Sequence, residues 1–533
     1  MRWRPDRSGF HRPVPGHSTP CPRSLPSPPD RRPPSPPGRH RDFRPLPRPL
    51  LPLQNKDVRL MSPTDRTRPR FPLAVYLFGA LAELLFGYDT GVIGVAMLSI
   101  KRELGIGPGL QGFIVSSLLL GAAVGVGVAG WLSDRFGRRW IIFATGVVFA
   151  AGGLGVGFAS DVWALIVIRF VMGLGVGASA AVVSVYLVEV APTRHRGAIG
   201  GLGQLMVVLG ILLSYGVGYA LQPYDAWRWM LGLSAVPALV LSAGIVFLPE
   251  TPRWLILHGR TDEARASLIR LGRGAGADTE LAELDRALRM ADRKPGLGFT
   301  LRTMAAPGSR RALFGAVGLA LLVQFVGVNS ILYFAPTTLV HAGFGDNAAV
   351  AANLGIGTAN VVFTLVGLSI VDRVGRKALL MTGCAVMATA MAVLGAFTAL
   401  TSHSAATAWF TLICMIVFLA SFAATWGVCV RVVISELFPA EIRGSATGLV
   451  LVLNWLANFA VSQSFPTLLE SSAALSFFLF AAVCVIAAVF IRNVLPETGR
   501  GHVLDASPAV HQDDDPQRSG TSTAKSVRPG VDG

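Results

Sequence analysis

Twelve times along the chain, apolar residues run for about twenty positions or more with few charges among them, and a polar stretch bounds each run. A helix needs about 20 mostly apolar residues to cross a bilayer. The pattern therefore predicts twelve spanning helices, near residues 72–98, 111–132, 140–159, 162–187, 198–221, 229–248, 312–340, 347–371, 378–400, 407–435, 445–466 and 472–492. Arg135, Arg138, Arg139, Arg194, Arg196, Arg373, Arg376, Lys377 and Arg443 fall after the second, fourth, eighth and tenth runs. The alternate stretches carry little beyond Lys101 and Arg102. Basic residues gather on the cytoplasmic side of membrane proteins, so a multi-pass protein of the plasma membrane with both termini inside is expected.

The one long polar insert, residues 249–311, places Leu281, Leu284 and Leu288 on one helical face, with Thr261 and Asp278 where helix caps would stand. It predicts a small cytoplasmic helical layer that either braces the fold or offers a partner surface. The sequence also repeats itself. Asp134-Arg135-Phe136-Gly137-Arg138-Arg139 returns as Asp372-Arg373-Val374-Gly375-Arg376-Lys377, and Glu189, Pro192, Arg196 and Gly197 return as Glu436, Pro439, Arg443 and Gly444. Pro249-Glu250-Thr251 returns as Pro496-Glu497-Thr498. An offset of about 240 residues suits parallel repeats. The expected fold is an all-α membrane protein with twelve transmembrane helices in two pseudo-symmetric six-helix bundles, 70–248 and 312–494, joined by the linker 249–311 and followed by a cytoplasmic tail, 495–533.

Composition changes this picture little. Of 533 residues, 52% are hydrophobic and 15% charged, more apolar surface than a soluble protein could bury, so lipid is the expected solvent. The net charge of +16 could suggest nucleic acid, but residues 1–60 alone hold thirteen Lys or Arg against four acidic residues, with nearly half of the 34 prolines. That segment has no apolar periodicity and reads as a disordered extension. Met61 offers an alternative start that would leave it untranslated. The cysteines Cys21, Cys384, Cys414, Cys429 and Cys484 show no CxxC pairing, and the last four sit in apolar runs as small core residues. No cluster has metal-ligand spacing, no nucleophile and base recur together, and the glycine-rich runs lack the Gly-Lys-Ser/Thr of a nucleotide loop. An enzyme, a metal site and a cofactor are not expected.

Charges inside the apolar runs carry more. Asp89, in Phe86-Gly87-Tyr88-Asp89-Thr90-Gly91, and Arg169 are ionisable groups within spans, which are expensive and usually paired toward the interior. They serve either as a working charge pair or as a fixed tie between helices. The loop charges Asp134, Arg138, Glu189, Arg196, Asp372, Arg376, Glu436 and Arg443 can pair when the cytoplasmic side closes and separate as the halves rock apart; the bland alternative is ordinary positive-inside charge. Glu83 lies twelve residues into the stretch that begins near Phe71, about 18 Å of helix. Arg431 lies four residues before the end of the tenth run. Opposite signs in the same half of the membrane predict that the two pair; otherwise Glu83 is protonated and Arg431 snorkels to the surface.

Gly130 to Arg139, Arg169 with Gly173, Gly175 and Gly177, the Pro249 to Arg253 run and Pro496-Glu497-Thr498 resemble the sugar porters of the major facilitator superfamily, over almost all of residues 72–500. The resemblance implies alternating access and a sugar or polyol as solute. It also implies that Asp89, paired with Arg169, is the proton site of a symporter, since the animal facilitative glucose transporters of the family have asparagine there. By the same resemblance Gln204, Gln324, Asn329, Tyr333, Asn360, Trp426, Asn454 and Trp455 match positions that contact sugar, although intramembrane amides also serve as glue between helices. Three departures bear on the solute: Val323-Gln324 in place of paired glutamines, Arg431 where the family has tryptophan, with no proline after Gly427, and Glu83 where a small residue is usual. A carrier of a polyol or organic acid, an exporter, and a non-transporting sensor are the rival readings.

Overall fold

The computed structural model describes residues 73–190, 196–290, 297–306, 309–401, 405–438 and 442–495. The side chains of Arg196 and Asp372 lie outside the described set, as do the extension 1–60, Pro192, Pro439, Pro496-Glu497-Thr498 and the tail. Twelve helices or helix pairs are long and apolar enough to cross a membrane, at the places the hydropathy pattern predicts. No strand occurs among the described residues.

The first six spans are α1 (Leu73–Leu104), α2 (Pro108–Phe136), α3 (Arg138–Val156), α4 (Val162–Val190), α5 (Arg196–Leu221) and the pair α6 (Trp227–Gly232) with α7 (Ala235–Ile245). Four short helices follow, α8 (Pro252–Leu257), α9 (Thr261–Arg270), α10 (Ala277–Met290) and α11 (Leu297–Ala305). The second set comprises α12 (Arg310–Phe325) with α13 (Val328–Tyr333) and α14 (Ala335–Ala342), then α15 (Asp346–Val374), α16 (Arg376–Leu400), α17 (Ala405–Ala424) with α18 (Trp426–Glu436), α19 (Arg443–Ser471) and α20 (Ala473–Val494). Spans alternate in direction, so one end of the molecule carries the basic connections. It is called the basic face below, and the other the opposite face.

The two halves repeat in detail. Gly137, between α2 and α3, has φ 97° and ψ 158°, and Gly375, between α15 and α16, has φ 91° and ψ 147°. Residues with side chains rarely adopt that region, which is why both turns need glycine. The pairing between halves obeys the same symmetry. The second span packs on the eleventh, where a Cβ at Gly112 would stand 2.4 Å from the Gln463 carbonyl oxygen, and the fifth packs on the eighth, where Gly357 abuts Leu212 and Tyr215. Trp131, Phe136 and Trp140 are exposed near the basic face, and Phe158, Trp163, Tyr224, Trp229 and Trp409 near the other. These two girdles suit the two lipid–water interfaces.

Several boundaries differ from those the sequence predicts. Helix α1 continues past residue 98, because its polar last turns are tied to the α5–α6 connection: the Ser99 hydroxyl donates to Asp225 at 2.9 Å, and Glu103 accepts from the Trp227 indole at 2.6 Å. The seventh span is not one helix. It breaks at Gly327, whose φ of 86° ends α12, and again after Tyr333. The tenth breaks at Thr425. Thr261 and Asp278 do not act as caps. Arg260 occupies the N-cap position of α9, and Asp278, in the first turn of α10, pairs with Arg265. Leu281, Leu284 and Leu288 do form the half-buried face of α10, and Leu281 packs against Trp254, Leu255 and Ala264. Cys384, Cys414, Cys429 and Cys484 are buried free thiols.

Candidate functional site

Asp89 and Arg169 form the most buried charge pair of the molecule among the described residues. Arg169 Nη1 and Nη2 donate to the two Asp89 carboxylate oxygens at 3.1 Å each, with side-chain exposures of 2% and 3%. Arg169 Nε donates to the Ile114 carbonyl at 2.7 Å, so one guanidinium joins α1, α2 and α4. The parallel two-bond geometry suits a guanidinium facing a carboxylate and offsets the desolvation of both ions.

Three amides meet beside the break in the seventh span. Asn329 Nδ2 donates to Gln324 Oε1 at 2.8 Å, and Gln324 Nε2 donates to Asn454 Oδ1 at 3.0 Å. Gln324 precedes Gly327 and Asn329 follows it, so the interruption lets the two amides meet while Gln324 reaches Asn454 of α19. Interrupted helices build solute sites in this way near the bilayer midplane. Next to Asn454, the Trp455 ring meets Phe86 of α1 edge-on at 5.3 Å between centroids, and its buried indole N–H has no partner among the described residues.

Tyr333 connects this cluster to the ion pair. It stands one turn after Asn329 on α13, is buried, and lies within electrostatic reach of Asp89 and Arg169. Thr90 and Asn458 flank its hydroxyl, which meets hydrogen-bond geometry with neither. Asn458 is a residue the sequence reading missed. It follows Asn454 by four positions, which puts both amides on one face of α19. Asn458 Oδ1 accepts from Ser462 at 3.1 Å, while its Nδ2 is buried with no partner among the described residues. Unpartnered buried donors each cost about 1–3 kcal/mol, so three of them in one region leave hydrogen-bonding capacity unused there.

The remaining expected residues are less united. The Gln204 amide nitrogen, from the other bundle, lies 3.5 Å from where a Cβ would stand at Gly427, so it faces α18. Asn360 is buried on α15 without a side-chain hydrogen bond among the described residues. Trp426 is not beside the amides by any described contact. Its ring is fully buried, and its indole N–H donates to the Leu380 carbonyl of α16 at 3.1 Å.

The loop charges assemble as two equivalent sets. Arg138 lies 3.4 Å from Asp134 and 3.4 Å from Glu189, with Arg253 3.8 Å from Glu189 on its other side. In the second half, Arg376 lies 3.1 Å from Glu436, and Arg443 Nε donates to the Phe438 carbonyl at 3.3 Å. Apart from the Arg253 contact, which brings the linker helix α8 onto Glu189, each of these pairs ties helices within one bundle, so rocking the bundles apart does not by itself separate them. Glu250 fastens the linker to the first set, accepting from the backbone N–H groups of Arg138, Arg139 and Thr251 at 2.9–3.1 Å. Burial pushes the Glu250 carboxyl above its usual range, against the pull of those three N–H groups.

Between the bundles, polar contacts crowd the opposite half. Lys101 meets Glu470 at 3.2 Å, Arg102 meets Asp346 at 3.3 Å, and the Ser116 hydroxyl donates to Gln463 at 2.8 Å. A Cβ at Gly94 would stand 2.4 Å from the Tyr333 carbonyl oxygen, so α1 and α13 touch backbone to backbone. This side is closed. Toward the basic face, Arg431 Nη1 reaches Glu83 at 3.7 Å, the pairing expected from the cost of two lone charges in spans.

The sugar (and other) transporter profile matches residues 75–503. The chain is 42% identical over 432 residues to a putative metabolite transport protein, YwtG, of Bacillus subtilis, covering 81% of this chain and 93% of that one. It is 37% identical over 455 residues to a D-xylose transporter of Levilactobacillus brevis, covering 85% and 98%. Among solved structures it resembles the xylose transporter XylE from E. coli in an inward open conformation, with a TM-score of 0.69 at 28% identity over 81% of this chain and 98% of that one. The proton:xylose symporter XylE bound to 6-bromo-6-deoxy-D-glucose gives 0.65 at 29% identity over 80% and 97%. Twelve spans in two repeated halves, an interrupted seventh span lined with amides and these likenesses agree, and the chain belongs to the sugar (and other) transporter family as a membrane-embedded sugar porter of the major facilitator superfamily.

Proposed function

We propose that this protein is a proton-coupled symporter of a monosaccharide, working by alternating access with its basic face toward the cytoplasm. One observation carries the reading: α13 bears Asn329 in the amide cluster and, one turn on, Tyr333 beside the Asp89–Arg169 pair. Solute binding and the state of the carboxylate thus act on the same short helix. Amides both donate and accept, which suits vicinal hydroxyls, and Trp455 adds an indole N–H and an apolar face. The relatives named for D-xylose and the proton:xylose symporter support the same solute class and coupling.

Ionised Asp89 is held by Arg169 in the fixed two-bond geometry. A proton on Asp89 removes the charge that attracts Arg169 while the Ile114 carbonyl still holds Nε, so α1 loosens from α4 without leaving the guanidinium bare. Solute bridging the amides draws α13 against α19, and the Gly94–Tyr333 contact releases as the opposite face opens. Asp134, Arg138, Glu189, Arg376, Glu436 and Arg443 keep each bundle rigid during the rocking motion.

The test is uptake into proteoliposomes of a panel of labelled pentoses, hexoses, polyols and sugar acids. Competition by neutral monosaccharides is expected. The exposed guanidinium of Arg431 favours a second reading, carriage of an organic acid, and transport confined to carboxylates would replace the sugar assignment with that one.

A further inference from the structure

Glu83 and Arg431 are on different bundles, α1 and α18, and theirs is the ion pair between described residues that joins the bundles on the basic-face side of the site. Glu83 lies six residues, about 9 Å of helix, from Asp89 toward that face. Arg431 lies four residues, about 6 Å, beyond Gly427, which the Gln204 amide faces. The pair therefore lies between the amide cluster and the basic face.

Its two members differ in setting. The Glu83 side chain is 4% exposed, wedged near Gly203 of α5, and makes no hydrogen bond among the described residues. The Arg431 side chain is 57% exposed even though it reaches across to the opposite bundle, so open space borders it. A separation of 3.7 Å is charge contact without a hydrogen bond, and among the described residues the five guanidinium donors stay uncommitted. An attraction of this kind falls quickly as the helices part and as water enters.

We propose that Glu83 and Arg431 form an inter-bundle latch, a charged floor under the solute cavity that has to part each time solute leaves toward the cytoplasm. The proposal rests on the alternating-access reading and the orientation given above, and not on which solute is carried or whether protons drive it. The latch holds the path partly shut from the cytoplasmic side, and its charges replace apolar packing between α1, α5 and α18 at that level. Losing either charge favours the cytoplasm-open form.

The test reads conformation directly. Spin labels at positions 135 and 373, which are exposed, occupy equivalent basic-face places in the two bundles, and a Cys21→Ser background keeps the label off the extension. Glu83→Gln and Arg431→Gln are each expected to shift the distance distribution of the purified protein in lipid nanodiscs toward longer separations. The double glutamine variant should shift it no further than either single one, because both remove the same interaction. Glu83→Arg combined with Arg431→Glu should bring back the shorter population that each charge reversal alone loses. Unchanged distributions in both single glutamine variants would overturn the latch, and so would shifts that add in the double variant. Failure of proton coupling would leave all of these outcomes as they stand.

Discussion

Asn329 and Tyr333 stand one helical turn apart on α13, the first bonded into the amide cluster and the second beside the Asp89–Arg169 pair. One turn of the six-residue α13 thus connects the place where hydroxyls would bind to the place where a proton would bind. The connection crosses the bundle interface, since Asp89 and Arg169 belong to one half and α13 to the other.

Tyr333→Phe keeps the ring packing and removes only the hydroxyl, which has no hydrogen-bond partner among the described residues to lose. Folding and apparent sugar affinity are expected to change little, while the number of protons moved per sugar falls. Simultaneous recording of proton and sugar uptake in proteoliposomes checks this, and an unaltered ratio would remove Tyr333 from the coupling path.

Gln324→Ala and Asn454→Ala should each weaken apparent affinity by about 0.5–1.5 kcal/mol, roughly two- to twelvefold in KM, as expected for one lost hydrogen bond to a neutral hydroxyl. Trp455→Phe should fall in the same range through loss of its free indole N–H, with the contact to Phe86 largely kept. Asn360→Ala, by contrast, tests whether an amide outside the described cluster touches solute. KM values equal to wild type in Gln324→Ala and Asn454→Ala together would mean that the amides serve only as interhelical glue.

Glu250 gives a dependence on pH that concerns stability and not transport. Burial raises its carboxyl in the folded state, so its contribution is fully present below the ordinary carboxylate range and is lost as pH rises through the raised value. Glu250→Gln lacks this titration. The unfolding temperature of wild type minus that of Glu250→Gln should therefore decline as pH rises from the ordinary carboxylate range through the raised value. Glu250→Ala, which leaves the N–H groups of Arg138, Arg139 and Thr251 unbonded, should lose about 1–3 kcal/mol at low pH and less as pH rises. A temperature difference that grows with pH would mean that the three N–H groups outweigh burial.

Span number, the repeat and the Asp89–Arg169 pair were legible in the sequence because each follows from the cost of polar groups in lipid. The same cost made the Glu83–Arg431 pair legible, since two lone charges of opposite sign in one half of the membrane need each other. Facing was not legible. Helices that are apolar all round give no periodicity to say which side looks inward, so nothing told Trp426, turned onto α16, from Trp455, turned onto α1. The break at Gly327 was hidden for a related reason: the apolar run continues through it, and glycine is common in spans. The matched loop charges were visible, but sequence carries no account of which helices adjoin, and that decides whether a pair closes a gate or stiffens a bundle. Asn458 did leave a signal, an amide four residues after Asn454 in the same apolar span.

The most direct measurement is accumulation of labelled sugar by proteoliposomes under an imposed proton gradient, for wild type and Asp89→Asn side by side. Coupling through Asp89 predicts that wild type concentrates the sugar and loses the ability when a protonophore is added. Asp89→Asn, neutral and still able to accept from Arg169, should only equilibrate it while retaining exchange of internal for external sugar. Accumulation by Asp89→Asn equal to wild type, or wild-type accumulation indifferent to the protonophore, would contradict proton-coupled transport through this carboxylate.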